Sequence, residues 1–142
     1  MCATLGLLMG EFELIEGQTS DADIQFLDIW RRRWHVQRGG PLIGSMDEVI
    51  LSRGGHGHEF TTDFITYATS TCIVGNANGT YHFRVVKYLC KIDEIKRYNW
   101  CAYTIKYLNN AAVEWKTDKT KFFTGSLLFL MVSTTISHYI NI

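Results

Sequence analysis

Residues 91–116 read KIDEIKRYNWCAYTIKYLNNAAVEWK. Within them Cys101, Ile105, Leu108, Ala112 and Trp115 follow one another at steps of 4, 3, 4 and 3. That is the spacing of a single apolar stripe on an α-helix. Asn99 stands where a helix N-cap is favoured, and Lys106, Asn109, Asn110 and Lys116 fall off the stripe. The segment predicts a helix over 99–116 with its striped face buried. Cys101, at the head of that stripe, reads as a small core residue that carries a thiol. A nucleophilic cysteine needs a neighbouring base and an electropositive, accessible surrounding, and no adjacent motif supplies them.

Working outward, SLLFLMVSTTI begins after Gly125 and is apolar nearly all round at first, which predicts a central, buried helix. On the other side, YHFRVVKYLCKI (81–92) carries Phe83, Val86, Leu89 and Cys90 at helical spacing. TTDFITYATSTCIVG (61–75) offers a threonine cap and a stripe of Phe64, Ile65, Ala68 and Cys72, ending at Gly75. Its β-branched residues oppose a helix and its periodicity favours one. NANG (76–79) reads as a turn. SMDEVILS (45–52) opens on Ser45 with Glu48 three residues on, a capping box. DADIQFLDIWRRRW (21–34) sets aspartates early and arginines late, the order that suits a helix dipole, with Gly39-Gly40-Pro41 beyond it. GEFELIEG (10–17) alternates glutamate with apolar residues and reads as a short strand or hairpin arm. The expected fold is mainly α: a compact single-domain bundle of about five to six helices over residues 1–142, with a small N-terminal β element.

The formal net charge is zero, so composition gives no electrostatic case for a nucleic-acid partner. The basic run Arg31-Arg32-Arg33 with Arg38, and the acidic group Glu11, Glu13, Glu16, Asp21 and Asp23, give a mild asymmetry that could steer a protein partner. The four cysteines form no CxxC pair and no signal peptide is evident, so reduced thiols and a cytoplasmic or nuclear location are expected. The sequon Asn78-Gly79-Thr80 then reads as turn chemistry. The longest apolar run, Leu127 to Val132, is too short to span a bilayer.

No catalytic residue, metal site or cofactor is expected. His56-Gly57-His58 could chelate, but a zinc site wants three or four ligands, and nothing at ligand spacing completes the set. RGGHGHE (53–59) lacks the phosphate-loop pattern, and His35 has no paired aspartate and nucleophile. EFELIE, with Phe12 and Ile15 amid glutamates, has the form of peptides that add an edge strand to ubiquitin-like autophagy receptors. DIQFLDI repeats that form at Phe26 and Ile29.

KRYNWCAYTIKYLNNAAVEWKTDKTKFFTGSLLFLMV (96–132) resembles a domain common in plant transposon-derived proteins. The shared features are an Asn-Trp-Cys opening, an aromatic and aliphatic helix, a Trp-Lys near its end, then Phe-Phe-Thr-Gly and a leucine-rich helix. LGLLMGEFEL (5–14), SMDEVI (45–50) and FITYATSTCIVGN (64–76) fall in the same order. In larger relatives this domain precedes a ubiquitin-like-protein protease domain and is not itself known to be catalytic. The resemblance implies a structural role for Asn99-Trp100-Cys101. It lapses after Val132, so residues 133–142 are expected to be a divergent ending, as of a truncated or newly terminated reading frame.

The function expected is that of a non-catalytic protein-interaction module, domesticated from a mobile element, which sequesters or redirects a protein partner. An antidote-like neutraliser of a toxic protein is the specific form. A nucleic-acid accessory resting on Arg31 to Arg33 is the alternative. Self-association is expected where truncation bares an apolar face. The partner surface is placed in the N-terminal third, on Phe12, Ile15, Phe26, Trp30, Arg31, Arg32, Arg33 and Trp34, because aromatics and arginine are enriched at interface centres. Partial exposure is expected of Trp30, as an anchor for the partner.

Overall fold

A computed structural model describes residues 7–15, 20–52, 54–74, 82–120 and 123–127, with 130, 131, 134, 135 and 138. Cys2, Glu16, Gly75 and the 76–79 turn with its sequon lie outside them, as do parts of the 127–132 run. Four α-helices organise these residues: α1 (Asp21–Arg33), α2 (Ile43–Ser52), α3 (His58–Ala68) and α4 (Trp100–Thr117). A π-helical stretch, Thr69–Val74, prolongs α3, and two 3-10 helices, Phe83–Leu89 and Ile92–Arg97, lead into α4. The fold is mainly α. Among the described residues the expected β element reduces to two isolated bridges, Met9 to Asn99 and Phe12 to Tyr98.

α1 starts where its sequence says. The Ser20 hydroxyl accepts the Asp23 N–H at 3.2 Å and the Asp23 carboxylate accepts the Ser20 N–H at 2.9 Å, a reciprocal capping box. Partial burial pushes the Asp23 carboxyl up. The bonds from Ser20 and the Cys90 thiol, with the Lys87 charge, outweigh that and hold it below the ordinary carboxylate value. A carboxyl depressed in the fold stabilises above its unfolded value and loses that contribution as pH falls through its folded one. Ser20→Ala is therefore expected to cost about 1 kcal/mol at neutral pH, and its gap from wild type to narrow below about pH 4. Urea melts between pH 3 and 7 measure this; a gap independent of pH would count against the box.

α2 exists but starts earlier than Ser45: the Ser45 hydroxyl donates to the Leu42 carbonyl at 2.7 Å instead of capping. α3 likewise starts at His58, behind Gly57, so Thr61 lies inside it. Its buried face is not the predicted Phe64 stripe. Phe64 is exposed, and Thr62, Asp63, Thr66, Thr69 and Ser70 are buried. The hydroxyls of Thr62, Thr66 and Ser70 each bond the carbonyl four residues back, at 2.7–2.9 Å. That local partner lets them enter the interior without an open polar group.

In α4 the Asn99 side chain accepts the Ala102 N–H at 2.9 Å, the expected cap. The buried face is Trp100, Cys101, Tyr103, Thr104 and Ala111. Ile105, Ala112 and Trp115, expected in the core, are exposed, Trp115 at 45%. Leu127, Leu130 and Met131 are also exposed, against the expectation of a central buried helix. Among the described residues the core forms two clusters that share Phe26. One holds Leu14, Val85, Leu89, Trp100 and Tyr103; the other holds Trp30, Met46 and Val86.

Candidate functional site

α1 presents two opposite faces. The inner one converges on Asp63 of α3, 1% exposed. Its Oδ1 accepts the indole N–H of Trp30 at 2.9 Å, the indole N–H of Trp34 at 3.2 Å and a guanidinium N–H of Arg33. Arg33 also reaches Glu59 at 3.5 Å. Residues 30, 33 and 34 share one side of a helical turn, so a single carboxylate serves all three donors. This corrects the partner assignment of Trp30. It is 2% exposed and lies in the core. Trp34 and Arg33 are part-buried and committed to Asp63, and Phe26 packs into both clusters with its ring edge-on to His58.

Arg31 is also drawn in. It lies 4.9 Å over the Phe83 ring, donates to the Gly39 carbonyl at 3.4 Å and forms an ion pair with Asp28 at 3.8 Å. Arg32 is exposed on the outer face. Sequence reading missed Asp63. The available signal was an aspartate inside a threonine-rich helix, together with a Trp-x-x-Arg-Trp whose buried donors require an acceptor.

Phe12 and Ile15 stay at the surface on the N-terminal segment with Leu8 and Met9, the last 71% exposed. The Phe12 N–H donates to the Arg97 carbonyl at 2.9 Å and its carbonyl accepts the Asn99 N–H at 2.8 Å. The Arg97 guanidinium sits 4.2 Å over the Phe12 ring and pairs with Glu11 at 2.6 Å. Ile15 borders a cleft of about 430 Å³ with Glu13, Asp23, Lys87, Tyr88 and Tyr98. The Cys90 thiol donates to Asp23 at 3.4 Å; burial, then that carboxylate, push its pKa up, so it is a poor thiolate nucleophile.

Cys101 is disulfide-bonded, while among the described residues Cys72 and Cys90 are free. The expectation of reduced thiols throughout fails at that position. Among the described residues no group of three or more His, Cys, Asp or Glu is placed to hold a metal. His56 instead bonds the Gly54 carbonyl at 3.0 Å. No helix among them is long and apolar enough to cross a membrane.

Fold and surface together define a mainly α domain with an N-terminal segment clasped to the start of α4. The chain belongs to the family described as domain of unknown function DUF8566, whose model matches residues 1–131. Neither the curated proteins nor the solved structures give a significant match.

Proposed function

We propose that this chain is a non-catalytic protein-interaction module of mobile-element descent that sequesters or redirects a protein partner. Neutralisation of a toxic protein is the specific form of this reading. The observation that supports it is the group of exposed apolar side chains Leu8, Met9, Phe12 and Ile15 along the N-terminal segment. Phe12 turns its backbone groups toward Arg97 and Asn99. Beyond Phe12, residues 13–15 lie outside any helix, and a partner strand can add there. The partner that fits is an extended apolar segment carrying basic residues to meet Glu13. The inward use of Arg31 and Arg33 weighs against the nucleic-acid alternative, since phosphate binding needs outward cations. The disulfide at Cys101 withdraws the thiol-based reason for a cytoplasmic or nuclear location.

The test is cross-linked capture from native tissue, quantified by mass spectrometry, with wild type and a Met9→Asp, Ile15→Asp double variant. The specific partner is expected to fall at least about tenfold with the double variant, as for loss of interface anchors, and to survive Lys106→Glu. Undiminished capture by a folded double variant, or loss with Lys106→Glu, places the surface elsewhere.

A further inference from the structure

The outer face of α1 carries a groove of about 450 Å³ lined by Asp21, Ile24, Gln25, Asp28, Ile29 and Arg32. These positions follow a single strip of the helix surface, opposite the Phe26, Trp30 and Trp34 side. Ile24 and Ile29 are exposed, at 48% and 57%. We propose that this strip docks a second copy of the chain, α1 against α1, antiparallel about a two-fold axis passing between residues 26 and 27.

The argument is self-complementarity. A two-fold contact presents the same patch from both copies, so the patch must match itself reversed. With the axis between 26 and 27, each of the six residues comes level with another of the six. Asp21 faces Arg32, Gln25 faces Asp28, and Ile24 lies level with Ile29. Carboxylate meets guanidinium, and amide meets carboxylate. The isoleucines flank the seam on both sides. A parallel arrangement would instead set Asp21 beside Asp21 and Arg32 beside Arg32, which like-charge repulsion disfavours. The two helix dipoles also run oppositely in the antiparallel form.

A helix of 13 residues is only about 20 Å long, so the contact falls well below the standard interface of roughly 1,600 Å². The dimer is accordingly weak, with Kd on the order of 10–100 µM. Its residues are distinct from Met9 and Ile15, so it stands or falls separately from the partner surface above.

Sedimentation equilibrium of the full chain from about 5 µM to 1 mM tests it, with thermal melts confirming that each variant folds. Ile29→Asp is expected to raise Kd at least about tenfold, the effect of charging an apolar contact. Arg32→Asp alone and Asp21→Arg alone each place like charges face to face, and each is expected to be monomeric where wild type is half dimeric. Mixing those two variants restores both opposite-charge pairs, so the mixture is expected to associate while neither component does. The proposal is overturned by a wild-type chain that stays monomeric to 1 mM, or by a mixture that fails to associate. It is equally overturned by a dimer that survives Ile29→Asp and is lost with Trp115→Asp, which would put the contact on α4.

Discussion

Asp63→Ala is expected to destabilise the domain by about 3–5 kcal/mol, the range for removing one partner of a buried ion pair. Three donors lose their acceptor together: the Trp30 and Trp34 indoles and the Arg33 guanidinium. Trp30 is buried in the second core cluster, so its N–H has no ready route to water, and an unmet buried donor costs about 1–3 kcal/mol. For a chain of this size the midpoint of thermal melting should fall by roughly 10–20 °C. Asp63→Asn separates the terms. It keeps an oxygen for the indoles and loses the charge that Arg33 needs, so about half the effect is expected. Asp28→Asn, at a half-exposed surface position, should change stability by no more than about 0.5 kcal/mol. If Asp63→Ala melts within about 2 °C of wild type, the carboxylate does not hold α1 to α3.

Gly10→Ala should cost about 2–4 kcal/mol, because the N-terminal segment passes too close to the chain at 97–98 for any side chain. A Cβ at Gly10 would overlap the Arg97 carbonyl and lie 2.8 Å from the Tyr98 carbonyl carbon. These are backbone atoms and cannot swing aside. The segment would have to lift, weakening the two Phe12 backbone bonds to Arg97 and Asn99, each worth about 0.5–1.5 kcal/mol. It would also drag on Leu14, buried in the first cluster, whose burial is worth about 1.5–3 kcal/mol. Hydrogen exchange at the Phe12 and Asn99 amides should accelerate by roughly tenfold or more, and denaturant melts give the stability change. Gly44→Ala provides the contrast. Its Cβ meets nothing within 4 Å inside α2, so alanine should stabilise by up to about 1 kcal/mol. Equal effects at both glycines would show that Gly10 is not closely approached.

The partner surface drawn from sequence divides along α1. Trp30, Arg33 and Trp34 belong to the inner face and Arg32 to the outer. Phe12 and Ile15 remain exposed, although Phe12 is partly covered by Arg97. Interfaces and cores favour the same aromatic residues, so composition alone could not sort these side chains.

The sequence by itself determined the helical class, the cap at Asn99 and the limits of α1 and α4, because caps, dipoles and turn residues act within a few positions of each other. It misjudged which face of α4 is buried. The 4-3-4-3 stripe led by Cys101 is regular, yet the helix packs through Trp100, Tyr103, Thr104 and Ala111. The Thr104 hydroxyl bonds the Trp100 carbonyl at 2.8 Å, so a polar residue enters the core without penalty, and the Trp100 indole finds the Ile95 carbonyl at 2.8 Å. The burial of Asp63 and the closeness of Gly10 to Arg97 belong to tertiary structure alone. Each depends on groups 29 or more residues apart in the chain, and only the tertiary fold, with α1 side chains reaching Asp63 of α3 and the N-terminal segment lying against residues 97–99, brings those groups within bonding distance.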